Sequence, residues 1–115
     1  MLNQVVIIGR IVKKPEVIER DEKQVCNLTL AVQRSYKNAE GVYETDFVDC
    51  VLWNGIAQTT TEYCKQGDLV GIRGRIETNT YENEEGQSIK KTNIIADKVT
   101  ILSSAKTKDK EDELE

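Results

Sequence analysis

Residues 42–67 read VYETDFVDCVLWNGIAQTTTEYCKQG, and the period of the apolar positions changes inside this stretch. Up to Trp53 it is two. Val48, Cys50 and Leu52 share one side of an extended chain, and Phe47, Asp49, Val51 and Trp53 share the other. From Gly55 to Lys65 it lengthens. Ile56, Thr60, Tyr63 and Cys64 fall at i, i+4, i+7 and i+8, one face of a helix, which places Tyr63 in the core. Gly67 then stands as the C′ residue that ends a helix. A strand of about Val42 to Trp53 running straight into a short helix is therefore predicted.

The flanks are sheet. Val, Ile and Thr number 11, 11 and 10, against 12 for Ala plus Leu. β-branched side chains lose rotamer freedom in helices and pack well on pleated strands. Before residue 42 come a dense apolar run, Leu2 to Val12, read as a strand buried on both sides or bent around a barrel with Gly9 as the bend. A weak short strand at Val17-Ile18 follows. From Gln24 to Gln33 the alternation is clean, with Cys26, Leu28, Leu30 and Val32 on the inner side. Asn38 to Gly41 supplies a turn. After the helix come strands of about Asp68 to Tyr81 and Ile89 to Leu102, joined by the polar, glycine-ended Glu82 to Gly86. Inner positions of the first are Val70, Ile72, Gly74 and Ile76; Gly71, Arg73, Arg75 and Glu77 face outward, and by unbroken count so does Tyr81.

Three strands, one short helix and two strands in about 100 residues match an all-β fold, the five-stranded Greek-key OB barrel with its helix between strands three and four. A small SH3-like barrel is the structural alternative, with less room for the helix. The domain is expected over residues 1–103. Residues 104–115, almost without apolar side chains, are expected to form a disordered, largely acidic tail.

Composition excludes much chemistry. The 115 residues contain no histidine, so there is no imidazole base and no histidine-ligated metal. Cys26, Cys50 and Cys64 are widely spaced without a CxxC, which argues against zinc and for reduced, buried thiols in a cytoplasmic protein. No catalytic residue, metal site or cofactor is expected. No run approaches a membrane span, and Met1-Leu2-Asn3-Gln4 has no basic segment of a secretory signal.

The outward residues are the informative ones. The only Phe and the only Trp lie on the same side of one strand, opposite its core positions and about 20 Å apart. Arg73, Arg75 and Tyr81 face outward from another strand, and Tyr36 falls at the barrel mouth. Rings spread over one face suit the stacking of unpaired bases, at about 1–3 kcal/mol each, with cations following the phosphates. From parity alone, stacking is the leading reading of Phe47 and Trp53, with a subunit interface second and a second small core third. The chain's net charge of −4 mildly opposes nucleic acid. Without the tail's five acids and three lysines, residues 1–104 carry 13 basic and 15 acidic groups, nearly neutral. Leu2 to Ile8 is apolar on both faces, more than one barrel of this size covers, so self-association through the N-terminal strand is expected.

The opening Met1-Leu2-Asn3-Gln4-Val5-Val6-Ile7-Ile8-Gly9-Arg10, followed by Pro15-Glu16, resembles the start of bacterial single-stranded DNA-binding proteins. Asn27-Leu28-Thr29-Leu30-Ala31-Val32, Asp46-Phe47-Val48, Val51-Leu52-Trp53, Tyr63 with Gly67, Gly71-Ile72-Arg73-Gly74-Arg75-Ile76 and Tyr81-Glu82-Asn83-Glu84-Glu85-Gly86-Gln87 continue it in order, over about residues 1–102. The resemblance implies a non-catalytic OB protein, usually a homotetramer with a dimer second, that binds single-stranded DNA in replication, recombination, repair or DNA uptake. It implies stacking by Tyr36, Phe47, Trp53 and Tyr81, and phosphate contacts by the cations present here: Arg10, Arg34, Lys37, Arg73, Arg75, Lys90 and Lys91. Basic residues common in the family are replaced by Ile18, Asn54, Gly55, Asn79 and Thr80. The chain ends Glu113-Leu114-Glu115 instead of an acidic tip finishing in Ile-Pro-Phe, so docking of replication and repair proteins through the tail does not follow. An oligomeric OB adaptor with weak or no DNA binding is the alternative reading.

Overall fold

The computed structural model describes residues 1–104. Its elements are β1 (Val5–Ile11), β2 (Val17–Arg20), β3 (Lys23–Lys37), β4 (Tyr43–Trp53), α1 (Asn54–Tyr63), β5 (Leu69–Glu82) and β6 (Ser88–Ser103). The strands follow the order β1-β5-β6-β4-β3-β2, and β1 also pairs with β3. That second pairing closes the sheet. β1 runs beside β5 from Val5 to Arg10, then passes to β3, where Arg10 meets Ala31 and Ile11 meets Leu30. The result is the expected five-stranded barrel of OB type, with β2 added to β3 as a hairpin and α1 between β4 and β5. The acidic tail expected from residue 104 lies, beyond Ser104, outside the described residues.

Two glycines permit the sharp coiling a small barrel requires. A Cβ on Gly9 would sit 2.8 Å from the Ala31 carbonyl, where β1 changes partners, which bears out the bend. A Cβ on Gly74 would sit 2.0 Å from the Ile95 carbonyl, so β5 and β6 meet there without room for any side chain.

Alternation fills the interior as its period requires. Cys26, Leu28 and Leu30 of β3, Cys50 and Leu52 of β4, and Val70 and Ile72 of β5 are buried. α1 closes one end with Ala57, Thr60 and Cys64. All three cysteines are free and buried. Burial, with Asp49 adjacent, pushes the Cys50 thiol up to about 11. No helix among the described residues is long and apolar enough to cross a membrane.

Four expectations are corrected. Tyr63 is exposed, not core: the buried stripe of α1 centres on Ala57, Thr60 and Cys64, and Tyr63 lies at its edge in the last turn. The helix also ends earlier, with Cys64 as its extended cap, so Gly67 is not C′. Gly67 instead occupies the following turn at φ +90°, donating its N–H to the Ile11 carbonyl. Ile76 has inward parity but is exposed, because β5 has left the barrel there. Asn3 pairs its amide with both the N–H and the carbonyl of Ile76, at 2.9 and 2.8 Å. Finally, β1 is not buried on both sides: Val6 and Ile8 are exposed while Val5 and Ile7 are partly covered.

Candidate nucleic-acid interface

The β3–β4 ladder sets the outward side chains in rows. Val25 faces Trp53, Asn27 faces Val51, Thr29 faces Asp49 and Ala31 faces Phe47. Residues opposed in a ladder project from the same side of a sheet. Each end of this strip gains a third member. Arg10 of β1 opposes Ala31, giving the row Arg10–Ala31–Phe47. Ile18 of β2 opposes Val25, giving Ile18–Val25–Trp53. Between the rows the Thr29 hydroxyl donates to Asp49 at 2.8 Å.

The two rings have different surroundings. Phe47 is 67% exposed, with only the small Ala31 directly opposite it. Trp53 is half-buried in a cleft of about 260 Å³. Its apolar members include Val25, Val51 and Ile95; Arg20, Lys91, Asn79 and Glu77 give it a polar rim. Val25 and Ile95 are buried although they point away from the core, so Trp53 and the β5–β6 arm roof a small apolar floor.

The arm carries the face onward. β5 is unbroken, and both register shifts place the extra residue in β6, at Asp97 and Leu102. Parity therefore holds from Arg73 through Arg75, Glu77 and Asn79 to Tyr81. Lys91 opposes Asn79 and joins the cleft; Ile89 opposes Tyr81. Tyr81 is 52% exposed.

The barrel's coil divides residues of equal parity. Arg73 borders a depression with Val6, Ile8, Thr100 and Leu102, on the β1 side and away from Trp53. Arg75 lies nearer the cleft and pairs with Glu77 at 2.9 Å. Lys90, next to Lys91 on β6, takes the opposite face. Arg10 donates to the Gly67 carbonyl at 3.1 Å and stays at the rim of the Phe47 row.

Arg34 has local partners that strand parity did not reveal. Its guanidinium reaches Asp46 through two nitrogens, at 2.8 and 3.1 Å, and Glu44 at 2.6 Å. The hydrogen bond and charge of Arg34 hold the Asp46 carboxyl below its usual range, and Asp46 in turn raises Arg34. The contact follows from the ladder itself: with Val32 opposite Asp46 and Gln33 opposite Thr45, the next step of the same register sets Arg34 beside Glu44 and diagonal to Asp46, just before the register shifts. Tyr36 lies in the same irregular segment and is 64% exposed. Lys37 stands 5.5 Å above the Tyr43 ring.

Both arms end in the same turn. In Asn38-Ala39-Glu40-Gly41-Val42, the Asn38 side chain accepts from the N–H groups of Glu40 and Val42. In Asn83-Glu84-Glu85-Gly86-Gln87, Asn83 accepts from Glu85 and Gln87. Gly41 and Gly86 take φ +78° and +79°. The repeated Asn-x-x-Gly-x was the sequence signal for two equivalent hairpin ends.

A closed five-stranded barrel with spaced aromatics on one open face, and cations at its edges, defines an OB-fold protein of the nucleic-acid-binding class. The model described as "Single-strand binding protein family" matches residues 2–102. The chain is 46% identical over 103 residues to "Single-stranded DNA-binding protein B" of Bacillus subtilis (strain 168), covering 89% of this chain and 91% of that one. It is 43% identical over 108 residues to "Single-stranded DNA-binding protein 1" of Lactococcus lactis subsp. lactis (strain IL1403), covering 93% and 72%. The chain belongs to the single-strand binding protein family.

Proposed function

We propose that this protein binds single-stranded DNA without sequence preference, holding strands unpaired during replication, recombination, repair or DNA uptake, and that it does so without catalysis. The observation that carries this reading is the pair Phe47 and Trp53, outward on one strand and separated there by Asp49 and Val51. Such rings accept a base face, and a base in a duplex cannot offer one. Tyr36 and Tyr81, exposed on the two arms, extend the stacking surface. For the phosphate track we assign Arg10, Lys37, Arg75 and Lys91, which border the aromatic strip. Arg73 belongs beside the apolar β1 face, Lys90 points away, and Arg34 is largely neutralised by two carboxylates.

Assembly follows from the same surface logic. Val6, Ile8 and Leu102 leave an aliphatic patch uncovered. A second copy covers it, as a homotetramer by preference and a dimer otherwise, in the cytoplasm on nucleoid DNA. Replication or repair proteins are further partners.

Titration with dT oligomers tests the reading. Trp53 fluorescence is expected to be quenched on binding, with a preference for single over double strands. The salt slope is expected to be shallow, because stacking is insensitive to counterion release while each phosphate contact contributes about −0.7. An unquenched Trp53 would sink it.

A further inference from the structure

On the far side of the Trp53 row lies a second depression, of about 390 Å³, bounded by Lys13, Lys14, Glu16, Ile18 and Asn27. Three observations tie it to the cleft. Asn27 lines both depressions, so they are contiguous at one side chain. Ile18, Val25 and Trp53 are opposed in successive ladders, so they share one face, and two strand spacings put Ile18 about 10 Å from Trp53. Ile18 is 52% exposed, an aliphatic surface at the end of a row whose middle member, Val25, is buried and whose far member, Trp53, is half-buried.

The backbone that carries the charge there is held in place. Lys13 and Lys14 follow Val12, whose N–H donates to the Thr29 carbonyl at 3.0 Å, and precede Pro15, which is fully buried. The dipeptide is thus pinned on both sides. Among the described residues neither lysine takes part in an ion pair, unlike Arg34 and Arg75. Glu16 offsets one of the two charges, leaving the depression net positive. Two exposed lysines on a held backbone, beside the aliphatic Ile18, complement one unit of chemistry: a phosphodiester with its base laid flat.

We propose that Lys13, Lys14 and Ile18 form a nucleotide subsite that continues the single-strand path from Trp53 across Val25. The lysines hold the phosphate, and Ile18 with Asn27 supports the base. The inference rests on the reading of the Trp53 face as a DNA surface. It adds a direction: the strand crosses β4, β3 and β2 in turn, instead of running along β4.

The test compares the parent, Lys13→Ala/Lys14→Ala, Ile18→Ala and Lys90→Ala in dT-oligomer titrations at several salt concentrations, with melting curves as a control for folding. The double lysine variant is expected to lose about tenfold in low-salt affinity, and its salt slope to become shallower by about 1.4, two contacts' worth. Ile18→Ala is expected to lose a few-fold with the slope unchanged. Lys90→Ala, on the opposite face, is expected to lose less per lysine. Parent-like affinity and slope in the double variant, with Trp53 still quenched, would overturn the subsite and leave the DNA reading standing. An equal loss per lysine in Lys90→Ala would reduce the effect to overall charge and also overturn it. Absence of quenching in the parent would remove both.

Discussion

Two regions of this barrel expose apolar side chains, and they differ in kind. On the β1 side Val6, Ile8 and Leu102 are aliphatic and contiguous, bordering one depression. On the β3–β4 side Phe47 and Trp53 are aromatic and set apart by the rows Thr29–Asp49 and Asn27–Val51. An aliphatic patch gains only by losing water against a matching surface. An isolated ring retains a π face that a planar base can cover while the polar neighbours stay wet. Exposure alone therefore does not distinguish an interface between copies from a ligand face. The chemistry and spacing of the exposed groups do.

The widest break between the two regions is Val6→Glu/Ile8→Glu. Carboxylates on the aliphatic patch are expected to dissociate the assembly to monomers in sedimentation at micromolar concentration, while the isolated barrel retains its melting behaviour. A parent that is already monomeric would remove the distinction.

Next are the rings. Phe47→Ala is expected to weaken single-strand binding by about 1–3 kcal/mol with an unchanged melting temperature, since the ring is mostly exposed. Trp53→Ala is expected to cost as much in binding, plus some stability, because its ring helps roof Val25 and Ile95. Early melting in Phe47→Ala would place that ring in a packed contact.

A smaller effect sharpens the polar edge. Glu44→Gln/Asp46→Asn removes both partners of Arg34 and is expected to raise low-salt affinity a few-fold and steepen the salt slope. A loss of affinity would make the clip a support for Tyr36 instead. The clip has a pH signature of definite sign. Asp46 titrates below its unfolded value, so its contribution to stability is present above the ordinary carboxylate pKa and is lost as pH falls through the depressed folded value. Carboxyl titration by NMR reads this directly, and an Asp46 that titrates like a free carboxylate would contradict it.

Least in magnitude is Asn79→Arg, beside Lys91 in the cleft, expected to steepen the slope by about 0.7. Asn54 is no equivalent position. It sits at φ +50° and accepts from the Gln24 N–H, so arginine there is expected to cost about 1 kcal/mol of stability through the left-handed backbone alone.

Strand parity made the barrel and its outward rings readable, because a period of two fixes which side chains share a face. It reached Trp53, Phe47 and Tyr81 for that reason. It did not reach the closure of β1 on β3, which divides Arg73 from Arg75 although their parity is equal. Nor did it reveal the β3–β4 register, which sets Arg34 beside its two acids, or the shift between Gln33 and Lys37 that follows. Tyr63 and Ile76 were misplaced for a related reason: each lies just where its element runs past the body it packs on. Periodicity describes an element, and says little of where the rest of the molecule stops covering it.

The continuity of β5 through Gly74 has a regulatory consequence. One strand borders the aliphatic patch at Gly71 and Arg73, and four to eight residues later the Trp53 cleft and its extension, at Glu77 and Tyr81. At Gly74 it passes the Ile95 carbonyl with no room for a side chain, and one continuous strand joins the two halves. Association and DNA binding are therefore expected to act as effectors of one another, and linkage makes any such coupling reciprocal: the factor by which assembly tightens DNA is the factor by which DNA tightens assembly. Measuring dissociation of the assembly with and without a dT oligomer reads that factor, and a value of one would show the two faces to be energetically independent.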